Sequence, residues 1–157
     1  MVESKVNKGT KFTFTLPKYS AKVLFQDNVT RALRDAIGKK VSLSLVVFDI
    51  KNFDDLARDF GNETLDVILH DMEQLVKQDL RRRSDFAVKD IKGVLVMLPE
   101  MGKLDALVVA DRIQKVLEDY VVSRHSDKKI QLSCKTAGYP EDGGTQEELL
   151  SAVAVEL

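Results

Sequence analysis

The chain is poor in the residues that build disulfide frameworks and transition-metal sites. Among its 157 residues there are one cysteine, Cys134, and two histidines, His70 and His125. A single cysteine excludes an internal disulfide and a zinc site with several thiolates, so a transition-metal site would have to rely on carboxylates. A lone cysteine in an apolar stretch is also more typical of a core residue than of a nucleophile.

Long apolar runs and an excess of one charge are missing too. No stretch approaches the roughly 20 apolar residues that span a bilayer, and no signal peptide is recognisable. With 24 basic and 25 acidic residues, the net charge of -1 argues against a broad surface for nucleic acids or anionic membranes. We therefore expect a cytoplasmic segment without nucleic-acid or membrane contacts, large enough for one compact domain.

Residues 1–18 do not resemble the start of a domain. The segment Phe12–Leu16 alternates apolar and polar residues, which predicts a half-buried strand that ends at Pro17. The segment Val2–Ser4 is its predicted hairpin partner. This order of strand, glycine turn and Phe-x-Phe-x-Leu-Pro resembles the last strands of the histidine-kinase ATP-binding domain. The resemblance implies a C-terminal hairpin remnant of a sensor kinase without its nucleotide-binding boxes; a coincidental amphipathic hairpin is the alternative.

The remainder of the chain alternates helical and strand patterns around a central hairpin. Ile37 and Leu107 are predicted to face the core from their helices, and Asn62 to cap the third helix. The order of elements favours an α+β fold, in which a central mixed, mainly antiparallel sheet is flanked by helices. The predicted strands are 41–50, 86–90, 94–98 and 130–139, and the predicted helices are 25–37, 52–59, 62–80, 104–121 and 146–156.

Five motifs follow one another in the order and spacing of a known family. They resemble motifs of the GGDEF (diguanylate cyclase-like) domain, whose sheet is similar to the palm of nucleotide cyclases and polymerases. The opening Asp-x-Leu-Thr-Gly-Leu-x-Asn-Arg turn of most members is not recognisable. Residues 19–157 are accordingly expected to form a degenerate GGDEF-like domain. The matching segments are Phe48–Phe53, Phe60–Leu69, Arg83–Asp85, Val96–Glu100 and Gly138–Leu150.

The residues that this family uses for catalysis are largely replaced. Its signature hairpin supplies two glycines, which let the backbone approach the nucleotide, and then an acid pair that serves the magnesium site. Here the segment Asp90–Gly93 reads Asp-Ile-Lys-Gly at those positions. Asp49 remains as a vestigial metal ligand, but Lys51 replaces the second acid and Ala57 replaces a guanine-reading Asn. The resemblance therefore implies no catalytic residues, no metal and no cofactor.

A few features that could recognise a ligand are retained. Arg82 and Asp85 keep the Arg-x-x-Asp spacing of the family's inhibitory site for cyclic di-GMP, and Asp66 matches a base-binding residue. An arginine fork can grip phosphate or the guanine edge, while aspartate accepts from the guanine amine. The alternative is that arginines 81–83 form a solvated helix end, where positive charge is favourable.

These observations predict a non-catalytic signalling module at the C-terminus of a bacterial sensor histidine kinase in a two-component system. Its expected partners are its own kinase domain, another signalling protein or a second copy in a homodimer. The alternative function is a receptor for cyclic di-GMP or GTP that uses Arg82, Asp85 and Asp66. An active cyclase is the third hypothesis, and it would depend on Asp49.

Overall fold

The computed structural model describes residues 21–153, which form a four-stranded sheet covered by helices on both faces. The predicted hairpin at 1–18 lies outside the described residues. The helices are α1 (Ala21–Lys39), α2 (Phe53–Phe60), α3 (Asn62–Asp79), α4 (Lys103–His125) and α5 (Gln146–Ala152), with a 3₁₀ turn at Ser126–Lys128. The strands are β1 (Leu43–Ile50), β2 (Phe86–Lys89), β3 (Gly93–Pro99) and β4 (Leu132–Tyr139).

The strands lie in the spatial order β2-β3-β1-β4, and each neighbouring pair is antiparallel. The predicted α+β class is therefore confirmed, although no parallel pair occurs among the described strands. No helix within residues 21–153 has the length and apolar character to cross a membrane.

The central strand β1 is buried on both faces, which explains its nearly continuous run of apolar residues. Successive side chains of a strand point to opposite faces. Leu45 and Val47 pack with α1 and α5, whereas Val46 and Phe48 pack with α2, α3 and α4. By the same alternation Asp49, two residues beyond Val47, lies on the α1 face of the sheet.

Two predicted core positions are wrong, and helix geometry explains both. Ile37 is 49% exposed and Leu107 is 44% exposed, while their neighbours Ala36 and Ala106 are buried. Apolar residues spaced by four drift around a helix of 3.6 residues per turn, so Ile37 lies about 120° away from Phe25. Ala36 is eleven residues beyond Phe25 and returns to the buried stripe.

The junction between α2 and α3 also differs from the prediction. Asn62 is the first residue of α3 and not its cap, because Gly61 occupies the N-cap position without a side-chain hydrogen bond. The Gly61 amide donates to the Ala57 carbonyl, 2.9 Å away, and so closes α2. Gly61 has φ +90°, a backbone conformation that favours glycine over residues with a Cβ.

Polar contacts fasten α3 to α4 at two points. The Tyr120 hydroxyl donates to Asp71 Oδ2 over 2.6 Å, and Arg112 Nε donates to Asp79 Oδ2 over 2.6 Å. Burial, with the hydrogen bond to Asp71, raises the pKa of Tyr120 well above its usual range. Since Asp79 ends α3, the loop that follows it starts from a fixed point.

Gly93 is a point of close approach between β3 and β1. It pairs with Asp49, and a Cβ at this position would collide with the Phe48 carbonyl oxygen and lie 2.6 Å from Asp49 Oδ1. Only a residue without a side chain fits here, so this glycine fixes where the β2–β3 hairpin sits against β1.

We expect Gly93→Ala to destabilise the fold by about 1–3 kcal/mol or more, because the new methyl group would overlap backbone that cannot move independently. Urea denaturation followed by circular dichroism measures the change. Gly38→Ala is the matched control, since nothing lies within 4 Å of its Cβ position in α1. That control should be neutral or stabilising by up to about 1 kcal/mol. Equal stability of the two variants would contradict the proposed close approach.

Candidate functional site

A concave site lies where β1 ends on the α1 face of the sheet. We call it the lysine cleft; it encloses about 540 Å³. The β2–β3 turn forms one wall, and the ends of β1 and β4 form the floor. Its lining side chains are Lys22, Val47, Asp49, Ile50, Lys51, Asp90, Ile91, Lys92, Leu95, Ser133 and Lys135.

Asp49 is the central carboxylate of the lysine cleft. It is registered with Gly93 on β3 and with Ser133 on β4, so it emerges from the middle of the sheet. Burial is the main reason that its pKa is raised, and the nearby Asp90 carboxylate adds to this effect. Lys135 and Lys92 oppose the shift by stabilising the ionised form.

The donor set of this cleft does not fit a magnesium ion. Magnesium takes hard oxygen ligands in a near-octahedral arrangement. Of the carboxylates in residues 21–153, only Asp49 and Asp90 line the cleft, and four lysines line it with them. Within residues 21–153 no group of three or more His, Cys, Asp or Glu is arranged to hold a metal ion. Lysine ammonium groups thus supply the positive charge near Asp49.

A second concavity, the α3 groove, lies on the other side of the β2–β3 turn. It encloses about 700 Å³ and shares Asp90 and Ile91 with the lysine cleft. The turn therefore separates the two sites, and Ile91 at its tip is 69% exposed. The groove is lined by Phe53, Asn62, Glu63, Asp66, Val67, Leu69, Asp90 and Ile91.

Two acids, Asp66 in the α3 groove and Asp54 in α2, are paired with lysines of the hairpin. Lys89 Nζ donates to Asp66 Oδ1 over 2.9 Å, and Lys92 Nζ lies 3.4 Å from Asp54. Ala57 packs against the core and offers no polar group to a base. Asp66, the predicted base-binding residue, is consequently engaged by Lys89.

Arg82 and Asp85 lie together in the loop before β2. Arg82 donates from Nε and Nη2 to Asp85 Oδ1, over 3.1 and 2.7 Å. The Asp85 side chain is only 4% exposed, whereas that of Arg82 is 37% exposed. The pair therefore satisfies itself, with the guanidinium covering a buried carboxylate.

The three predicted ligand residues do not form one site. Asp66 is in the first turns of α3, while Arg82 and Asp85 follow its last turn. About 20 Å of helix axis separates Asp66 from the end of α3 at 1.5 Å per residue. Cys134 lies apart from both places, partly buried against the core, and burial raises the pKa of its thiol to about 11.

Two of the four lysines of the lysine cleft were not predicted from the sequence. Lys22 comes from the first turn of α1 and Lys135 from β4. Their proximity to Asp49 depends on strand register and helix packing, which leave no local signal in the sequence. The period-two pattern of β4 could indicate only that Lys135 and Ser133 share a face.

We expect Asp49→Asn to raise the free energy of unfolding at neutral pH. Burial raises the pKa of the Asp49 carboxyl above its unfolded value of 3.8, so the folded chain binds this proton more tightly. The stability that this group contributes is fully present below its unfolded pKa of 3.8, and it is lost as the pH rises through its higher pKa in the folded chain. The gain from asparagine should therefore disappear below about pH 4.

Urea denaturation at several pH values measures this difference. Asp119→Asn, at an exposed position of α4, gives the baseline for the loss of one carboxylate. An asparagine variant less stable than the native chain at neutral pH would mean that attraction to Lys92 and Lys135 outweighs burial.

Comparison with known proteins places this arrangement in a family. Residues 16–156 match the model of the diguanylate cyclase, GGDEF domain. The chain is 23% identical over 136 residues to the bifunctional diguanylate cyclase/cyclic di-GMP phosphodiesterase MucR of Pseudomonas aeruginosa, covering 86% of this chain and 20% of that protein. It is 27% identical over 95 residues to diguanylate cyclase A of Treponema denticola, covering 60% of this chain and 25% of that protein.

The chain thus spans a quarter or less of the length of these curated relatives. Among solved structures, the GGDEF domain of TpbB (also YfiN) from Pseudomonas aeruginosa superimposes with a TM-score of 0.64 at 28% identity. That match covers 82% of this chain and 76% of the solved one. The resemblance predicted from the motifs is confirmed, and the chain belongs to the GGDEF domain family of diguanylate cyclases.

Proposed function

We propose that this chain is a non-catalytic GGDEF module that regulates a bacterial sensor histidine kinase through protein contacts. The observation that carries the proposal is the charge of the β2–β3 hairpin. Lys92 stands in the wall of the cleft that holds Asp49, and Lys89 is bonded to Asp66. The hairpin brings ammonium groups to both carboxylates that the family would use for metal and base.

This reversal of charge removes a feature that the reaction of a cyclase depends on. Each 3′-hydroxyl must attack an α-phosphorus while pyrophosphate leaves, and such transfers depend on positioned cations that bridge the phosphate oxygens. Two carboxylates among four lysines do not supply the set of oxygen ligands that would bring metal ions to that point. Ile91 adds a branched, exposed side chain where the nucleotide would have to pass close to the backbone.

A protein-docking role is supported by the apolar residues that the helices expose. Leu104 and Val108 are 79% and 66% exposed, one turn apart on α4. Val67 and Ile91 are also exposed, on either side of the α3 groove. Exposed apolar clusters with polar rims are typical of surfaces that meet another protein. The partner we propose is the kinase domain of the same chain; another signalling protein or a second copy are the alternatives.

The kinase context is supported by the beginning of the sequence. Residues 1–18 read as the closing strands of a histidine-kinase ATP-binding domain, and the helical pattern of the GGDEF module follows within a few residues. So short a connection would hold the module close to the kinase. Small changes in how the module docks would then affect the activity of the kinase domain in the same chain.

We expect no cyclic di-GMP from this chain with GTP and magnesium, even at high protein concentration. Liquid chromatography with mass spectrometry measures the product against a blank without protein, with an active diguanylate cyclase as the positive control. Product that is formed by the native chain and disappears in Asp49→Asn would overturn the proposal.

The regulatory part of this prediction is tested in the parent kinase. Deleting residues 20–157 should change the rate of autophosphorylation, and Gly93→Ala should reproduce part of that change because it displaces the hairpin. Gly38→Ala is the matched control and should leave the rate unaltered. An autophosphorylation rate that is insensitive to both the deletion and Gly93→Ala would exclude regulation by this module.

A receptor for cyclic di-GMP is the second candidate, favoured by the Arg-x-x-Asp spacing and close contact of Arg82 and Asp85. Ligand would have to draw the guanidinium away from the carboxylate that it covers. Removing this guanidinium leaves Asp85 buried and unpaired, which destabilises a fold by several kcal/mol in comparable cases. A binding test must therefore separate loss of ligand contact from loss of structure.

Calorimetric titration with cyclic di-GMP, and separately with GTP, decides between the candidates. If the receptor function is correct, saturable heat with cyclic di-GMP should be lost in Asp85→Asn and kept in Arg81→Ala, which removes a neighbouring exposed arginine. Circular dichroism should first show that each variant is folded at the temperature of the titration. Absence of heat from the native chain with both nucleotides would exclude the receptor and leave the docking module.

A further inference from the structure

We propose that the free edge of β4 pairs with β4 of a second copy of this chain, so that two four-stranded sheets become one continuous sheet. The pairing is antiparallel, about a two-fold axis that passes between the two Cys134 residues. This inference goes beyond the regulatory role, because it assigns the edge at which two modules meet and the register in which they pair. It does not depend on that role being correct.

Alternate residues of β4 direct their backbone groups away from the sheet. The Gln131 carbonyl accepts from the Lys51 amide over 2.7 Å, so the odd-numbered residues of β4 form their hydrogen bonds with β1. The amide and carbonyl groups of Leu132, Cys134 and Thr136 therefore point to the free edge. In the part of the chain that the structure describes, these six groups have no hydrogen-bond partner. We call these three residues the open segment.

The open segment is closed off at both ends. Gly138 is the next residue that points outward, but its amide donates to Asp142 Oδ2 over 2.8 Å and its carbonyl accepts from the Asp142 amide over 2.7 Å. Before the strand, the chain changes direction at Lys129, which has φ +52°. Cys134 is consequently the middle of the open segment.

The opposite edge of the sheet is protected, whereas β4 is not. The outward amide of Lys89 on β2 donates to Glu73 Oε2 of α3 over 2.7 Å. An unprotected edge presents a row of backbone donors and acceptors to which another strand can pair. The open segment is such a row.

The open segment is complementary to itself. In an antiparallel pair centred on Cys134, this residue faces Cys134 of the second copy, and Leu132 faces Thr136. Each facing pair exchanges two hydrogen bonds, so six bonds between the copies use all the open groups of both. A two-fold interface requires self-complementarity of this kind. A partner strand of another sequence would not need the open segment to be symmetric about its middle residue.

The side chains fit the same register. On the α1 face of the sheet, Lys135 of one copy lies opposite Ser133 of the other, which brings no like charges together. A shift of two residues toward the end of the strand would place the two Lys135 side chains opposite each other. It would also set Leu132 against Gly138, whose backbone groups are already bonded to Asp142. The register centred on Cys134 is therefore favoured.

Helix α4 offers an apolar side chain beside this edge. It covers the face of β4 that carries Leu132 and Cys134. Arg112 and Tyr120 of α4 bind α3, and Leu107 lies about 140° around the helix from both, on the flank beyond β4. Leu107 is 44% exposed. Two α4 helices on a continuous sheet would lie side by side and cover this side chain.

Sedimentation equilibrium of the whole chain tests the pairing. We expect a species of twice the monomer mass of 17.6 kDa in the upper micromolar range. Thr136→Pro should abolish it, because proline removes an outward amide that β4 does not use for bonding to β1. Thr136→Val is the matched control, since it keeps this amide and the branched shape, and it should dimerise like the native chain. Circular dichroism checks that the proline variant is folded.

Cysteine cross-linking tests the register. Facing residues of a hydrogen-bonded antiparallel pair have Cα atoms about 5.5 Å apart, within the range that a disulfide spans. Oxidation with copper phenanthroline should therefore link two native chains through Cys134, as seen on a non-reducing gel. Thr136→Cys in a Cys134→Ser chain is the control. Its two thiols would be four residues out of register, about 14 Å apart, and should not be linked.

Three results would overturn the inference. They are a native chain that stays monomeric at every concentration, a Thr136→Pro chain that is folded and still dimerises, and cross-linking through residue 136 but not through Cys134. If the proline variant fails to fold, the pair of cysteine chains decides the question alone. A monomeric chain would leave the proposed regulation intact, because deletion of residues 20–157 in the parent kinase tests that role separately.

Discussion

The close approach of β3 to β1 at Gly93 is the constraint on which both candidate sites depend. No side chain fits between Gly93 and the backbone of Phe48 and Asp49, so the start of β3 lies directly against the end of β1. The turn before Gly93 is thereby held over the end of the sheet. Its position makes Asp90 and Ile91 a shared wall of the lysine cleft and the α3 groove.

The position of this turn also explains how a few charged residues set the electrostatics of this whole end of the sheet. Charged side chains in a turn this close to Asp49 interact electrostatically with its carboxylate. Lys92 lies in the turn and Lys135 in the neighbouring strand β4. Attraction to these two ammonium groups opposes the effect of burial on the pKa of Asp49. The glycine that sets the geometry at this end of the sheet thus differs from the residues that set its charge.

Much of this architecture could be predicted from the sequence, because its signals are local. The apolar run of β1 and the turn at Ile91 follow from residues near them in the chain. The inward positions of Ile37 and Leu107 were wrong because repeated spacings of four, in the case of Ile37, and of three, in the case of Leu107, both depart from the helical repeat of 3.6 residues. The spacing of Arg82 and Asp85 was visible, but their mutual hydrogen bonds were not. Such contacts depend on burial and on strand register, which are set by distant parts of the chain.

The edge strand β2 shows what the retained carboxylates do in the folded chain. It has only four residues and pairs with β3 on one side, so its other side needs fastening. The Lys89 amide donates to Glu73 Oε2 over 2.7 Å, and its ammonium group donates to Asp66. At the other end, Arg82 binds Asp85 immediately before the strand begins. Residues that the sequence analysis predicted to bind a ligand thus hold β2 at both ends, so a ligand that captured Asp66 or Arg82 would have to release that end of the strand.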